Sequence, residues 1–429
     1  MLIFYNIIQL TLLVIGLPLL LPVVLLSPKY RLRTLQRLGL GLRSLVGRQR
    51  KGTGRTIWIH ALSVGEVTSA LPLISGLRNR FPQAFLVFSA STRSGAGVAQ
   101  QIMADRADLL IPFPLDILPV TAFFVRLIRP DLFILVETDF WPNILSCLQR
   151  HKVPIMLVNG RISPKSMASY RRFSVFFKPL FLAFRHLCMQ TETDRVNMID
   201  LGVPEEQVHT LGNLKFDTPL VTADSTVQSP PLELPDHSRL LIAGSTHKGE
   251  EGIILSAYIR LRAICPNLFL IIAPRDISRG KEIQELAATK GITSSCRSES
   301  RPGSQRLLIL DTIGELAGCY RFADLAFVGG SLVPAGGHNP IEPAAMGAPV
   351  LFGAHMEDFA EVSQDLLSAG GAQRIGGEES LFQAAATWLA DDSLRKAAGL
   401  TALGYVEKQQ GVVARHLQLI QTIFSEQII

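Results

Sequence analysis

Several carboxylates and one lysine follow apolar stretches of this sequence, where a strand is expected to end and a site to begin. Glu66 closes the segment Leu62-Ser63-Val64-Gly65-Glu66 and stands near the start of a helix predicted from Val67. A carboxylate there can accept a proton from an acceptor hydroxyl in the transition state. It could instead complement the helix dipole, and position alone favours that second interpretation.

A second segment, residues 137–143, follows the apolar stretch Leu132–Val136. Two carboxylates just beyond the end of a strand have no evident structural role in the sheet, which makes them candidates for function. Thr138 or Asp139 could instead cap a helix that begins near Pro142. That role would account for Asp139 but would not explain Glu137. Farther along the chain, Lys215 could neutralise a phosphate or an acidic sugar, or could be a solvated lysine.

A glycine-rich segment, residues 329–345, follows the predicted strand Leu325–Val328. Glycines let backbone amides approach an anion, and Asn339 with Pro340 predicts a helix start whose free N–H groups suit a phosphate. Ile341 and Glu342 then fall within the first turn. Glu342 could close a capping box or accept hydrogen bonds from ribose hydroxyls.

Two further strand ends in the same half of the chain carry polar residues. Pro274 and Arg275 follow one of them, and the arginine suits a phosphate through its charge and planar geometry. Ile313, Gly314 and Glu315 follow the other and could border a base through backbone contacts. Polar residues and glycines therefore follow three strands in this half of the chain, which favours a nucleotide-binding site there.

The elements that would position these residues alternate short apolar strands with amphipathic helices from residue 56 onward. Continuous apolar strands between helices predict parallel sheets covered on both faces. The strands are expected at residues 56–61, 85–90, 131–137, 154–159, 186–190, 239–244, 268–273, 306–310, 325–328 and 349–352. The fold class is therefore α/β, with two Rossmann-like doubly wound domains.

A segment rich in proline and small polar residues, 221–238, predicts a linker between these domains, residues 29–220 and 239–410. Ligands of such sheets bind beyond the carboxyl ends of the strands, so the site is expected in a cleft between the two domains. Residues 161–185 mix basic and aromatic side chains. They are either a surface for a phosphorylated lipid or a core-facing helix with a solvated basic rim.

The first 28 residues predict a membrane anchor, because residues 7–26 carry no charge and about 20 apolar residues suffice to cross a hydrocarbon core. Nine lysines and arginines follow at residues 29–55, and residues 1–65 contain no acidic residue. This basic collar (residues 29–55) is expected to stay cytoplasmic and to attract anionic headgroups. A cleaved signal peptide would carry its charges before the apolar run. Pro18 and Pro22 leave open a helix that lies in the membrane plane.

Composition excludes several other classes of protein. Five cysteines without paired spacing predict reduced, buried thiols in a cytosolic compartment, with neither a zinc site nor a disulfide framework. The basic residues cluster beside the apolar segment without a nucleic-acid motif, so no nucleic acid is expected as a partner. No carboxylate cluster for magnesium is evident, and no metal or other cofactor is expected.

Together the motifs resemble the 3-deoxy-D-manno-octulosonic acid (Kdo) transferases of lipopolysaccharide inner-core assembly, which are inverting glycosyltransferases of GT-B architecture. The resemblance covers nearly the whole chain and rests on Ser63-Val64-Gly65-Glu66, Glu137-Thr138-Asp139-Phe140-Trp141-Pro142-Asn143, Gly212-Asn213-Leu214-Lys215-Phe216-Asp217 and Gly337-His338-Asn339-Pro340-Ile341-Glu342-Pro343. It implies transfer of Kdo from CMP-Kdo to a lipid A precursor, without a metal, at the cytoplasmic face of the inner membrane. It also implies that a last helix, residues 411–429, returns to the first domain.

The resemblance further implies roles for single residues. Glu66 would be the general base, and Glu137 and Lys215 would stabilise the transition state. The CMP moiety would contact Pro274, Arg275, Ile313, Gly314, Glu315, Asn339, Pro340, Ile341 and Glu342. The family usually continues Pro-Arg with His-Pro, whereas Asp276 and Ile277 follow here, which puts the local loop in doubt but not the arginine.

Two rival functions stay open at this point. One is a related GT-B transferase that uses a UDP-sugar and another lipid acceptor. The other is a membrane-tethered, nucleotide-binding regulator without transferase activity. Preference for CMP over UDP would separate the first rival from a Kdo transferase, and dependence of function on Glu66 would separate the second.

Overall fold

The computed structural model describes residues 2–50, 52, 54–137, 139–218, 237–299 and 305–427, without the side chains of 17, 19–21, 23–25 and 28–30. The chain divides into two compact units. Unit 1 comprises Met1–Asp217 and Gly411–Ile429, and unit 2 comprises Thr218–Gln410. The predicted linker lies outside the described residues except for positions 237 and 238.

Unit 1 is built on a parallel sheet whose strand order is β3-β2-β1-β4-β5-β6-β7. The strands are β1 Thr56–Ala61, β2 Phe85–Ala90, β3 Leu109–Pro112, β4 Leu132–Val136, β5 Ile155–Gly160, β6 His186–Met189 and β7 Val208–Thr210. The helices are α1 Leu2–Leu26, α2 Pro28–Arg37, α3 Leu42–Gln49, α4 Val64–Arg80, α5 Arg93–Ile102, α6 Leu118–Ile128, α7 Pro142–Arg150, α8 Pro164–Arg172, α9 Ser174–Phe181 and α10 Glu192–Asp200.

Unit 2 repeats this plan with the strand order β10-β11-β9-β8-β12-β13-β14, again parallel. The strands are β8 Arg239–Thr246, β9 Leu268–Pro274, β10 Ser295–Cys296, β11 Leu307–Ile309, β12 Leu325–Val328, β13 Val350–Phe352 and β14 Ala372–Arg374. The helices are α11 Glu250–Ile264, α12 Gly280–Thr289, α13 Leu316–Cys319, α14 Ile341–Ala345, α15 Ala360–Ala369, α16 Glu378–Ala390 and α17 Asp392–Gln409. A final helix, α18 Val412–Glu426, belongs to unit 1.

Most of the central strands of both sheets are buried along their whole length, which is why they are apolar without alternation. Every residue of β1, β2, β4 and β9 is buried. Parallel strands acquire this pattern because helices cover both faces of the sheet. The prediction of two parallel α/β domains is therefore confirmed, whereas the cleft between them stays a prediction.

The amino-terminal helix α1 is held to the rest of unit 1 by hydrogen bonds from polar side chains near its start. Tyr5 donates a hydrogen bond to the Asp116 carboxylate at 3.0 Å, and Gln9 donates to the Asp116 carbonyl at 2.9 Å. Asn6 and Asn143 exchange side-chain hydrogen bonds at 2.9 Å. Nowhere in the described residues is a helix both long enough and apolar enough to cross a membrane. The single-pass anchor at residues 1–28 stays a prediction.

Candidate active site

Glu66 lies where β1 gives way to α4. This helix begins at Val64 rather than Val67, with Ser63 as its N-cap, and Glu66 falls in its first turn. The Ser63 hydroxyl accepts the Glu66 N–H at 3.4 Å, and the Glu66 carboxylate accepts the Leu62 N–H at 2.6 Å. Glu66 therefore has the position that the helix-dipole interpretation requires, in the first turn of α4.

The environment of Glu66 is nevertheless unusual for a capping residue. Its side chain is only 8% exposed. The pKa of the Glu66 carboxyl is raised to about 7, chiefly by burial and also by the negative charges of Glu137 and Asp139, against the opposing hydrogen bonds from Leu62 and Ser63. A carboxyl group poised near neutral pH and facing two other carboxylates suits proton transfer.

Glu137 follows β4 in a left-handed backbone conformation, with φ of 63°. This conformation is uncommon for a residue other than glycine and costs free energy, so the surrounding structure must hold it in place. The Asn159 side-chain amide approaches the Glu137 carboxylate at 3.4 Å. The structure thus fixes Glu137 beside the end of β5.

The Asp139 carboxylate does not cap the following helix, so the interpretation of Asp139 as an N-cap was wrong, and Thr138, the other candidate for the cap, lies outside the described residues. Its Oδ2 accepts the indole N–H of Trp141 at 2.6 Å and lies 3.4 Å from His60 Nε2. The free N–H groups at the start of α7 donate instead to Asp116, from Asn143 at 3.0 Å and from Ile144 at 2.9 Å. Because Asp116 precedes α7 by more than 20 residues, no local sequence pattern could identify this cap.

His60 is a site residue that the sequence analysis missed. It lies in β1, is fully buried, and stacks on Phe113 with ring centroids 3.5 Å apart. Burial lowers the pKa of His60, although the Asp139 carboxylate opposes this shift. Burial therefore favours the neutral form of the imidazole. A polar residue within an otherwise apolar strand was the available signal.

Asn159 connects Glu137 to the segment that carries Lys215. It is fully buried at the end of β5, with φ of 57°. Its Oδ1 accepts the N–H of Leu214 at 2.9 Å, and its carbonyl accepts the Gln190 side chain at 2.9 Å. Gln190 in turn accepts from the side chain of Asn213. This network of amides brings the Lys215 segment and Glu137 to the same edge of the sheet.

The predicted nucleotide residues of unit 2 follow neighbouring strands. The β11, β9, β8 and β12 strands are consecutive in the sheet, so their carboxyl ends share one edge. Arg275 is exposed after β9, and its N–H donates to the Thr246 carbonyl at 3.0 Å. Asp276 caps the short turn Ile277–Arg279 by accepting the Ser278 N–H at 3.0 Å. In this chain Asp276 therefore caps the turn that follows Arg275.

The next three candidates lie in the loop after β11. Ile313 is 72% exposed, and the neighbouring Gly314 has a left-handed φ of 95°. Glu315 accepts hydrogen bonds from Thr312 at 2.5 Å and from Arg297 at 3.0 Å. An exposed apolar side chain next to a glycine turn is compatible with a surface for a base.

The glycine-rich segment differs from its prediction in one respect. The N–H groups of Gly330, Ser331 and Leu332 donate to the carboxylate of Glu250, which is buried and also accepts the His247 N–H. These amides therefore bind an internal anion. The expectation that Gly329, Gly330 and Ser331 present their amides to a phosphate was wrong, because the Gly329 N–H donates to the Gly244 carbonyl at 2.8 Å and the other two donate to the Glu250 carboxylate in the first turn of α11.

The later part of the same segment keeps its candidates together. Asn339 accepts the Ile341 N–H at 3.1 Å and donates to the Glu342 carboxylate at 3.1 Å, with Pro340 as the N-cap of α14. His338 and His247 approach each other with 2.8 Å between their Nε2 atoms. That contact joins the loops after β12 and β8. Within the ranges described above, no group of three or more His, Cys, Asp or Glu could hold a metal ion.

Comparison with known proteins identifies relatives over most of the chain. The family model described as 3-deoxy-D-manno-octulosonic-acid transferase (kdotransferase) matches residues 33–218. A 3-deoxy-D-manno-octulosonic acid transferase of Haemophilus influenzae is 31% identical over 92% of this chain and 92% of its own length. One of Chlamydophila psittaci is 30% identical over 74% of each chain.

Solved structures show the same fold at low identity. A putative UDP-N-acetylglucosamine 2-epimerase from Listeria monocytogenes covers 87% of this chain and 98% of its own, with a TM-score of 0.60 and 15% identity. The UDP-GlcNAc 2-epimerase from Neisseria meningitidis covers 86% and 100%, with a TM-score of 0.62 and 13% identity. At such identities the likeness concerns the fold alone.

Proposed function

This chain belongs to the 3-deoxy-D-manno-octulosonic acid (Kdo) transferase family, and we propose that Glu66 is the general base with which it transfers Kdo to a lipid A precursor. Members of this family are glycosyltransferases. The proposed donor is CMP-Kdo, and the proposed acceptor group is a hydroxyl of the lipid. The observation that carries the proposal is the burial of the Glu66 carboxyl group just beyond the carboxyl end of β1, which raises its pKa to about 7.

The proposed reaction is one displacement at the anomeric carbon of Kdo. A bond forms from the acceptor oxygen to that carbon while the bond from the carbon to the CMP phosphate breaks, through an oxocarbenium-like state. Glu66 takes the proton of the attacking hydroxyl, and CMP leaves with the bonding electrons. In our proposal Glu137 and Lys215 stabilise the transition state, in which charge is redistributed around the sugar.

The nucleotide is assigned to unit 2. Arg275 offers an exposed guanidinium to the phosphate, whose charge grows as it leaves. We assign the remaining contacts with CMP to three short groups of residues, Pro274, then Ile313, Gly314 and Glu315, and then Asn339, Pro340, Ile341 and Glu342. The shared strand edge and the Asn339–Glu342 hydrogen bond support this assignment.

A Glu66→Gln variant tests the general base. It should bind CMP as the wild type does and lose at least about a hundredfold in transfer rate, because removal of a general base costs about 10²–10⁴-fold. Glu192→Gln is the matched control, since Glu192 lies in the first turn of α10 and is exposed. Full activity of Glu66→Gln would refute the role of Glu66. Equal thermal protection by UDP and CMP would refute the donor.

We further propose that the protein is associated with the cytoplasmic face of the inner membrane through α1 and the basic collar. Exposed apolar side chains of α1, such as Ile3 and Phe4, and the positive charge of residues 29–55 support this. Co-sedimentation with anionic vesicles should weaken as salt is raised and should fall when residues 1–28 are removed. Binding that is independent of both would refute the association.

A further inference from the structure

Unit 1 contains a cavity of about 200 Å³ beside the amino-terminal helices. Its wall is formed by residues of α2, α3, α5, α6, β2 and β3, and by Leu40 between α2 and α3. Most of the lining is aliphatic or aromatic, as with Leu40, Phe88, Leu110 and Phe124, and the polar side chains include Arg33 and Gln100. The cavity is therefore apolar along its wall and charged at one place.

The cavity is open to the protein surface. Leu40 and Leu45 line it and are nevertheless 60% and 41% exposed. Leu32, Leu35 and Leu38 on the same stretch of chain are also exposed. An apolar ligand could thus reach the cavity past exposed leucines that lie among the basic residues of the collar.

Arg33 lines the cavity, and Arg37 and Arg93 are near enough to interact with it electrostatically. The pKa of Arg33 is lowered by burial and then by the positive charge of Arg93, and the pKa of Arg37 is lowered by burial and then by Arg33, while the Asp139 carboxylate opposes the shift of Arg37. Such mutual repulsion would be relieved by an anion placed among the three groups. A phosphate fits, because guanidinium groups bind phosphate oxygens with two parallel hydrogen bonds.

The charged part of the wall adjoins the carboxylate site. The Arg33 guanidinium donates to the Ser91 carbonyl, and the Ser91 hydroxyl lies 3.4 Å from His60 Nε2. On α5, a Cβ added to Gly95 would stand 3.3 Å from the Leu62 carbonyl oxygen, so this helix packs directly on the loop before Glu66. A ligand held at Arg33 is accordingly close to the proposed base.

We propose that this cavity receives a segment of one acyl chain of the acceptor lipid, while Arg33 and Arg93 bind a phosphate of the same molecule. A water molecule takes up about 30 Å³ in the liquid, and a methylene group is of similar size, so the cavity holds part of one chain. The inference rests on the proposed function, because it assumes an acylated, phosphorylated acceptor. Binding of the acyl chain and the phosphate in this way would position the acceptor hydroxyl beside Glu66.

Filling the cavity tests the chain-binding part of the inference. Ala96 lines the cavity from α5 and is half-buried, so Ala96→Leu adds three carbon atoms there. Since each buried methylene contributes about fourfold to affinity, the Kd and KM for an acylated lipid A precursor should rise at least about tenfold. The Kd and KM for the deacylated, phosphorylated sugar should stay the same. Ser94→Leu, on the exposed side of the same helix, is the control and should change neither.

Three results would overturn the inference. Unchanged affinity of Ala96→Leu for the acylated precursor would mean that no chain enters the cavity. Equal losses for acylated and deacylated acceptors would mean that the substitution disturbs the sugar site. Weaker binding of the variant to phospholipid vesicles, with acceptor affinity intact, would assign the cavity to a bilayer lipid.

A second variant tests the phosphate without altering the cavity. Arg93 is exposed at the start of α5. Arg93→Gln should weaken binding of the phosphorylated acceptor severalfold and leave a dephosphorylated acceptor unaffected; equal effects on both would overturn the phosphate assignment. Because binding is measured directly, a wild-type protein that binds the acylated precursor but transfers no Kdo would refute the proposed function and leave this inference standing.

Discussion

Two groups of influences change the pKa of the Glu66 carboxyl in opposite directions. The Leu62 N–H and the Ser63 hydroxyl stabilise the charged form, whereas burial and the nearby carboxylates stabilise the protonated form. Burial dominates, so the pKa rises from the usual range of glutamate to about 7. A residue that only complements a helix dipole needs no such shift, and the raised pKa therefore favours the proposed role of Glu66 as a base.

The activity should therefore depend on pH through Glu66. Its folded-state pKa is raised, so the carboxylate needed as a base is present above pH 7 and is lost as the pH falls through that value. The logarithm of kcat/KM should rise with a slope of one below pH 7 and level off above it. Rate measurements from pH 5 to pH 9 would show this. An acid limb near pH 4.5, or none, would contradict it.

Asp139 offers a second test at the residue scale. Its negative charge is one of the influences that raise the pKa of Glu66. Asp139→Asn should keep an oxygen for the Trp141 indole N–H and move the acid limb of the pH profile toward lower pH. Asp200→Asn, an exposed aspartate at the end of α10, should leave the limb in place. A limb that moves toward higher pH in Asp139→Asn would contradict this account.

At the scale of elements, the sequence predicted the strands at the centre of each sheet and missed those at the edges. The missed strands are β3, β7, β10 and β14, and each ends its sheet. An edge strand has a neighbour on one side only, is short, and is partly exposed, as the mixed burial of β7 and β14 shows. The strands β7, β10 and β14 lack the continuous apolar run on which the prediction relied, whereas β3 is apolar throughout and was missed all the same.

The site was predictable to the extent that its residues follow central strands. Glu66, Glu137 and Arg275 follow β1, β4 and β9, and each was found from that position. His60, Asn159 and Glu250 were missed because their partners are distant in sequence. The Glu250 carboxylate, for example, binds amides about 80 residues away. A pattern within a short window carries no information about such contacts.

Glu250 should be essential to the loop after β12. Glu250→Ala would leave the amides of residues 330–332 without their acceptor, at a cost of about 1–3 kcal/mol for each buried group that stays unsatisfied. Hydrogen exchange at these three amides should therefore become at least about a hundredfold faster, since 1.4 kcal/mol corresponds to tenfold. Glu285→Ala, an exposed glutamate of α12, is the control. Unchanged exchange in Glu250→Ala would show that water replaces the carboxylate without loss.

At the scale of the whole molecule, the chain leaves unit 1 after Asp217 and comes back to it at Gly411. The returning helix α18 packs on α4 so closely that a Cβ added to Gly76 would collide with Val413. Buried side chains of α18, including Ile420 and Phe424, complete the apolar interior of unit 1. The first and last parts of the sequence are thus folded together.

Asp217 holds this junction through its carboxylate. One oxygen accepts the Gly411 N–H at 2.9 Å, and the other accepts the Val413 N–H at 2.7 Å. The aspartate therefore caps α18 from a position about 200 residues earlier. Loss of a capping side chain costs about 0.5–2 kcal/mol. Asp217→Ala should consequently loosen α18 although the substitution lies outside that helix.

Hydrogen exchange along α18 measures this effect. Amides of the first turn of α18 should exchange about tenfold faster in Asp217→Ala, as expected for a loss of about 1.4 kcal/mol. Asp391→Ala is a matched control, because Asp391 caps α17 in unit 2 by accepting the N–H groups of Ser393 and Leu394. That variant should speed exchange in α17 and leave α18 as it is. If both variants loosened both helices equally, the stability of α18 would depend on the whole chain rather than on the contact with Asp217.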